Sequence, residues 1–165
     1  MALTRPYDRD AAAFYASVWA FDRNPAYLNF DGLGGDCTNF ASQCLFAGSK
    51  AMNYSPVFGW YYINGNNKSP SWTGVEFFYS FLVNNKSVGP FGVKSDISHI
   101  GKGDFIQLGD GQKFYHTLFI IRVESPAPES IFVATHTMDS YDRPLSSYYY
   151  NEIRFIRIGG VRKWS

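Results

Sequence analysis

Apolar positions in the first half of the chain recur at helical spacing, and in the second half they recur at strand spacing. Between residues 8 and 24, Ala11, Phe14, Tyr15 and Val18 line one side of a first helix, with Asp8 or Asp10 as its cap and Pro25 as its stop. A glycine-punctuated loop, LNFDGLGG at residues 28–35, leads to Asp36, whose carboxylate is expected to cap the amides of the next helix. That second helix is predicted over residues 37–47, closing at Gly48, with Cys37, Phe40, Ala41, Cys44, Leu45 and Ala47 as its apolar stripe. Residues 55–71 turn from aromatic to polar and read as a surface loop or strand carrying Trp60, Tyr61 and Tyr62. TGVE at residues 73–76 matches a capping box, and Val75, Phe78, Tyr79 and Leu82 continue a third helix. From Gly101 onward DFIQL, KFYHTLFIIRV, IFVATHTM and EIRFIRI are β-rich runs separated by turn-forming segments. Helices followed by an antiparallel sheet of about four strands define an α+β class. No internal repeat interrupts it.

Composition narrows the picture. With 165 residues, 45% hydrophobic and 19% aromatic, the chain can bury one sizeable core, so a single domain over residues 1–165 is expected. Fifteen Lys and Arg against 14 Asp and Glu leave a formal charge of +1, which provides no field for nucleic acid or an anionic membrane surface. The opening MALTRPYDRD has no apolar signal-type stretch and no later run approaches a membrane span, so membrane insertion is not expected. A monomer is the expected state.

The chemistry-bearing residues are few. Cys37 and Cys44 lie seven residues apart, about 10 Å along a helix, beyond the roughly 7 Å that a disulfide spans. Cys37 falls in the first turn, where unpaired amides and the helix dipole favour a thiolate; Cys44 sits deeper in the same helix, facing the core. Taken alone, Cys37 reads as a small buried apolar residue, the common fate of free cysteine. The histidines alter that balance. If KFYHTLFIIRV and IFVATHTM form a hairpin in which Val123 faces Ile131, Leu118 opposes His136, and His116 and His136 become diagonal neighbours on one face unless the register shifts by one. Such a pair suits a base and the group that orients it.

GGDCTNFASQCLFAGSKAM, SWTGVEFFYSFL, GDFIQLGDGQKFYHTLFI and ATHTMD, taken in order, resemble the putative amidase domain family, a branch of the papain-like cysteine hydrolases related to NlpC/P60 and CHAP cell-wall hydrolases. The resemblance runs from about residue 7 to residue 158. It implies a papain-like fold with N-terminal helices packed on an antiparallel sheet, a nucleophile at Cys37, a general base at His116, and a third member at His136, with Asp139 as its alternate. It also implies a peptide or peptidoglycan-type amide as substrate, an extracellular or cell-wall setting, and no cofactor or metal. The Cys37 amide with Asn39 or Gln43 would form the oxyanion hole. Trp60 and Trp72 are the aromatic candidates for contacting substrate.

Three other readings compete. A zinc site built from Cys37, His116, His136 and Asp139 has the right ligand types but none of the usual spacings. A non-catalytic module could present Trp60, Tyr61, Tyr62, Trp72 and residues 148–150 to a glycan or peptide, although packing is the commoner role for each ring. A thiol acyltransferase is the third, because a thioester can be resolved by an amine as well as by water.

Overall fold

The structure, a computed structural model, describes residues 2–164. In chain order its elements are β1 (Ala2–Arg5), α1 (Arg9–Trp19), α2 (Cys37–Ser49), the hairpin β2 (Tyr62–Asn64) and β3 (Asn67–Lys68), α3 (Pro70–Thr73), α4 (Val75–Asn84), β4 (Gly89–Ser95), β5 (Phe105–Gly109), β6 (Phe114–Val123), β7 (Ile131–Thr135), β8 (Ser140–Pro144) and β9 (Glu152–Trp164). The class is α+β. Its main sheet, however, has seven strands among the described residues, ordered β1-β9-β5-β6-β7-β8, with β4 on the other edge of β9. The four predicted runs are β5, β6, β7 and β9, and β5 to β8 pair consecutively as a meander to which the unpredicted β8 is added. Strands β1 and β8 are short and largely polar, and β4 carries two glycines and a proline, so they have little β signal of their own and are recruited by pairing.

The helices pack on one face of this sheet. Asp8 caps α1 by accepting from the Ala11 amide at 3.0 Å, but the buried side of α1 is Ala12, Ala16 and Ala20. Phe14 and Val18, predicted inside, are 70% and 48% exposed. Small residues on the inner side let α1 approach α2 closely. Helix α2 runs two residues past the expected Ala47 and ends with Lys50 in the left-handed conformation (φ 53°). The TGVE segment makes no side-chain cap: Gly74 precedes α4, and Glu76 instead bonds to Arg154.

Each face of the sheet carries its own apolar cluster. Phe105, Phe119, Ala134 and Ile156 pack with α2 and α4 residues such as Phe40, Leu45 and Phe78. Ile106, Leu108, Leu118, Ile120 and Val133 pack on the opposite face, beneath Leu145 and Tyr148. Two register shifts in β6 decide which residues reach which face. Val123 faces Ile131 as predicted, but Ile120 then faces Val133, leaving Ile121 as an extra residue. On the other edge, Leu108 faces His116 and Gly109 faces Phe114, leaving Tyr115 as an extra residue.

Candidate active site

Cys37 begins α2 at the end of a loop whose Gly32, Gly34 and Gly35 all hold positive φ. Its side chain points at β6. The sulphur lies 3.8 Å from Thr38 Oγ1, and the backbone amides of Thr38 and Thr117 also face it. Cys37 is only 7% exposed. Burial pushes its thiol up, the three donors pull it down, and the neighbouring Asp36 charge pushes it up again, with a net rise. Cys44 is fully buried and its thiol is raised far more, with only its own amide opposing the desolvation. Both thiols are therefore raised, Cys37 less than Cys44, so the expected lowering at the start of the helix is outweighed by burial.

Asp36 does not cap α2. Its Oδ1 accepts from the Phe30 amide at 2.8 Å and from Asn39 Nδ2 at 2.9 Å, and its Oδ2 lies 2.5 Å from His136 Nδ1. Burial works against the carboxylate charge, but the bonds from His136, Asn39 and the Phe30 amide outweigh it and hold Asp36 below the usual carboxylate range. The His136 ring stacks on Phe40 with centroids 4.1 Å apart, and its Nε2 donates to the Trp19 carbonyl at 2.7 Å. An ionised Asp36 and a carbonyl can only accept, so both ring nitrogens donate. Arg23 closes the cluster at 2.7 Å from Asp31, 2.9 Å from Asp139 and 3.5 Å from Asp36.

The predicted trio is not assembled. His136 reaches the helix-bearing face because the extra residue at Ile121 shifts the register by one: Phe119 faces Ala134 at the end of the ladder, so His136, just past β7, falls on the face of Thr117 and not on that of Leu118. His116 consequently lies on the other face, paired with Leu108 and with its ring 6.0 Å from that of Tyr148. It does not meet Cys37. Asp139 is held by Arg23 and meets neither histidine. Burial, helped by the Arg143 charge, lowers His116 to about 4. A histidine depressed below its unfolded value of about 6.5 binds its proton more readily when unfolded, so it contributes stability that is lost as pH falls from about 6.5 toward 4. Replacing His116 with Leu is expected to remove on the order of 1–2 kcal/mol from the stability lost between pH 7 and pH 5. Urea melts at the two pH values test this; an unchanged pH dependence would contradict the burial of a neutral ring.

The other candidates are also committed elsewhere. Trp60 and Trp72 are fully buried and stacked at 4.7 Å, donating to Ser42 Oγ and Asn39 Oδ1, and so offer no surface to substrate. Asn39 gives its amide to Leu28 O and Asp36, which leaves it no proton for an oxyanion, whereas Gln43 commits only its oxygen, accepting from Tyr15. The four candidate zinc ligands do not converge. Among the described residues no group of three or more His, Cys, Asp or Glu is placed to hold a metal ion, and no helix is long and apolar enough to cross a membrane. Residues the spacing rules pass over, Thr38 and Thr117, surround the sulphur instead. Their one signal is a polar residue at a core parity in an otherwise apolar strand or helix.

An α+β domain with a shielded cysteine opening a helix, beside a buried carboxylate–imidazole pair, is the class this fold and site define. Residues 6–158 match the family described as a putative amidase domain, and the chain belongs to that family, whose description suggests amidase-like hydrolysis. The chain is 38% identical over 121 residues to the uncharacterized protein YhbB of Bacillus subtilis (strain 168), a match covering 70% of this chain. The same match covers only 37% of YhbB, so the chain spans little more than a third of that relative. No solved structure matches.

Proposed function

We propose that the domain is a cysteine-dependent amidase of papain-like type, with Cys37 as nucleophile and His136, oriented by Asp36, as its acid and base. The observation that carries this reading is the contrast within α2: the Cys37 sulphur faces two backbone amides and a hydroxyl, whereas Cys44 faces only its own amide. His136 is the histidine on the Cys37 face, and its partner Asp36 is the residue next to Cys37 in the chain. In this reading the ring first gives its Nε2 proton to solvent as it turns from the Trp19 carbonyl, keeps its Nδ1 proton on Asp36, and then, neutral, takes the thiol proton at Nε2. The thiolate forms a C–S bond to the amide carbonyl, and the imidazolium returns the proton to the departing amine as the C–N bond breaks. Water deprotonated by the same ring then cleaves the thioester to acid and thiol. Peptide-type amides, including those of peptidoglycan, are the proposed substrates, a choice supported by the resemblance to cell-wall hydrolases, which also supports an extracellular setting.

A second reading, a module that binds amide ligands without turnover, is favoured by the engagement of both His136 nitrogens and the burial of Cys37. One experiment separates the two. The domain and its Cys37→Ala variant are incubated with purified peptidoglycan and a panel of small amides, and new amines are identified by mass. Amines released by the parent alone support the amidase; binding by both proteins with no amine released supports the module.

A further inference from the structure

A row of buried polar side chains crosses three strands beneath α2. Gln107 on β5 faces Thr117 on β6 and Arg154 on β9, and all three are nearly inaccessible. Arg154 is held between the rings of Tyr79 and Phe114, 3.6 and 3.9 Å from their centroids, and its Nη2 lies 2.9 Å from Glu76 Oε2. Its Nε donates to Gln107 Oε1 at 2.8 Å. Gln107 Nε2 donates to the Val75 carbonyl at 2.9 Å and to Thr117 Oγ1 at 3.2 Å. Thr117 Oγ1 lies 2.9 Å from Thr38 Oγ1, which is the hydroxyl beside the Cys37 sulphur.

The direction of the bonds that Gln107 makes in this row is dictated by groups that have no choice. Arginine can only donate, so it must find the oxygen of Gln107; the Val75 carbonyl can only accept, so it must find the nitrogen. Both constraints agree on one orientation of the amide. Thr117 therefore accepts from Gln107, and its single proton can go to Thr38 and that of Thr38 to the sulphur, one of the two directions that these hydroxyl contacts permit. We propose that Arg154, Gln107, Thr117 and Thr38 form a one-way hydrogen-bond chain that aims a hydroxyl proton at Cys37 and holds its thiolate. They are positioning residues. The chain rests on the reading of Cys37 as a nucleophile, but its action is on the thiol and precedes any substrate.

The test follows the pH dependence of iodoacetamide alkylation of Cys37, in a Cys44→Ala background, with circular dichroism to confirm folding. Thr38→Val is expected to slow alkylation at pH 7 roughly tenfold and move its midpoint upward by about one pH unit, the scale of one charge-assisted hydrogen bond, while Thr38→Ser restores the parent profile. Gln107→Glu, which can only accept and so reverses the row, is expected to raise the midpoint in the parent and to add nothing in the Thr38→Val background. Gln107→Met provides the same comparison without an added charge. Parent midpoints in Thr38→Val and in folded Gln107 variants, or Gln107 effects that persist without the Thr38 hydroxyl, would overturn the relay alone. A Cys37 that resists alkylation at every pH below unfolding would overturn the nucleophile reading and the relay together.

Discussion

Cys37→Ser is expected to reduce amide turnover by about 10³-fold or more while leaving the thermal midpoint near that of the parent. The hydroxyl is smaller than the thiol and fits the same space, so Thr38, Thr117 and the end of α2 need not move. Its proton is far harder to remove, and the amides that lower the thiol cannot close that gap. Cys44→Ser makes the opposite prediction. That site is fully buried with apolar neighbours, so a hydroxyl there costs about 1–3 kcal/mol of stability and leaves kcat/KM of the folded fraction unchanged. Release of amine from the substrate found for the domain, measured beside thermal melts of both variants, checks the pair. Turnover by Cys37→Ser within a few-fold of the parent would reject the thioester mechanism.

That dissociation is legible in the sequence because it depends on helix position alone, and the first turn of α2 is well marked by the glycines before it. The site around the thiol is less legible, and β6 shows why. Leu118, Phe119, Ile120 and Ile121 are all apolar, because both faces of this strand are covered. A strand buried on both sides has no alternation from which to read a parity. The loop length fixes Val123 opposite Ile131, yet nothing in the pattern announces the extra residue at Ile121, and that one residue puts Thr117, and not Leu118, on the face of His136. The predicted diagonal of His116 and His136 fails for this reason.

Helix α1 fails in a different way. Its period is correct and its cap at Asp8 is found, but the stripe is assigned to the larger side chains, Phe14 and Val18, where the fold buries Ala12, Ala16 and Ala20. Hydrophobicity favours the large residue unless the distance between helices is known, and here that distance selects alanine. Asp36 illustrates a third limit. A carboxylate before a helix is well placed to cap it, and only the fold reveals a stronger claim from His136, one hundred residues away in sequence.

The consequence for stability is large. His136 joins three elements, bonding to Asp36 before α2, to the last residue of α1 and, by stacking, to Phe40 within α2, while standing at the end of β7. His136→Ala leaves the Asp36 charge without its main partner, leaves the Trp19 carbonyl unbonded and opens a space over Phe40. Breaking a buried pair in this way costs about 3–5 kcal/mol. The sign of the pH dependence follows from the carboxylate. A folded value below the unfolded one contributes stability that is present above about pH 4 and is lost as pH falls through the folded value. The gap between parent and His136→Ala is therefore expected to be widest near neutral pH and to narrow in acid, where Asp36 is protonated in both proteins. Replacing both residues with leucine should be milder than His136→Ala, because no charge is stranded. Urea unfolding of the three variants between pH 7 and pH 3 measures all of this, and turnover of His136→Ala must be read at a temperature where it remains folded. A cost below about 1 kcal/mol at pH 7 would show that Asp36 and His136 are not a structural pair, leaving the ring free to act only on Cys37.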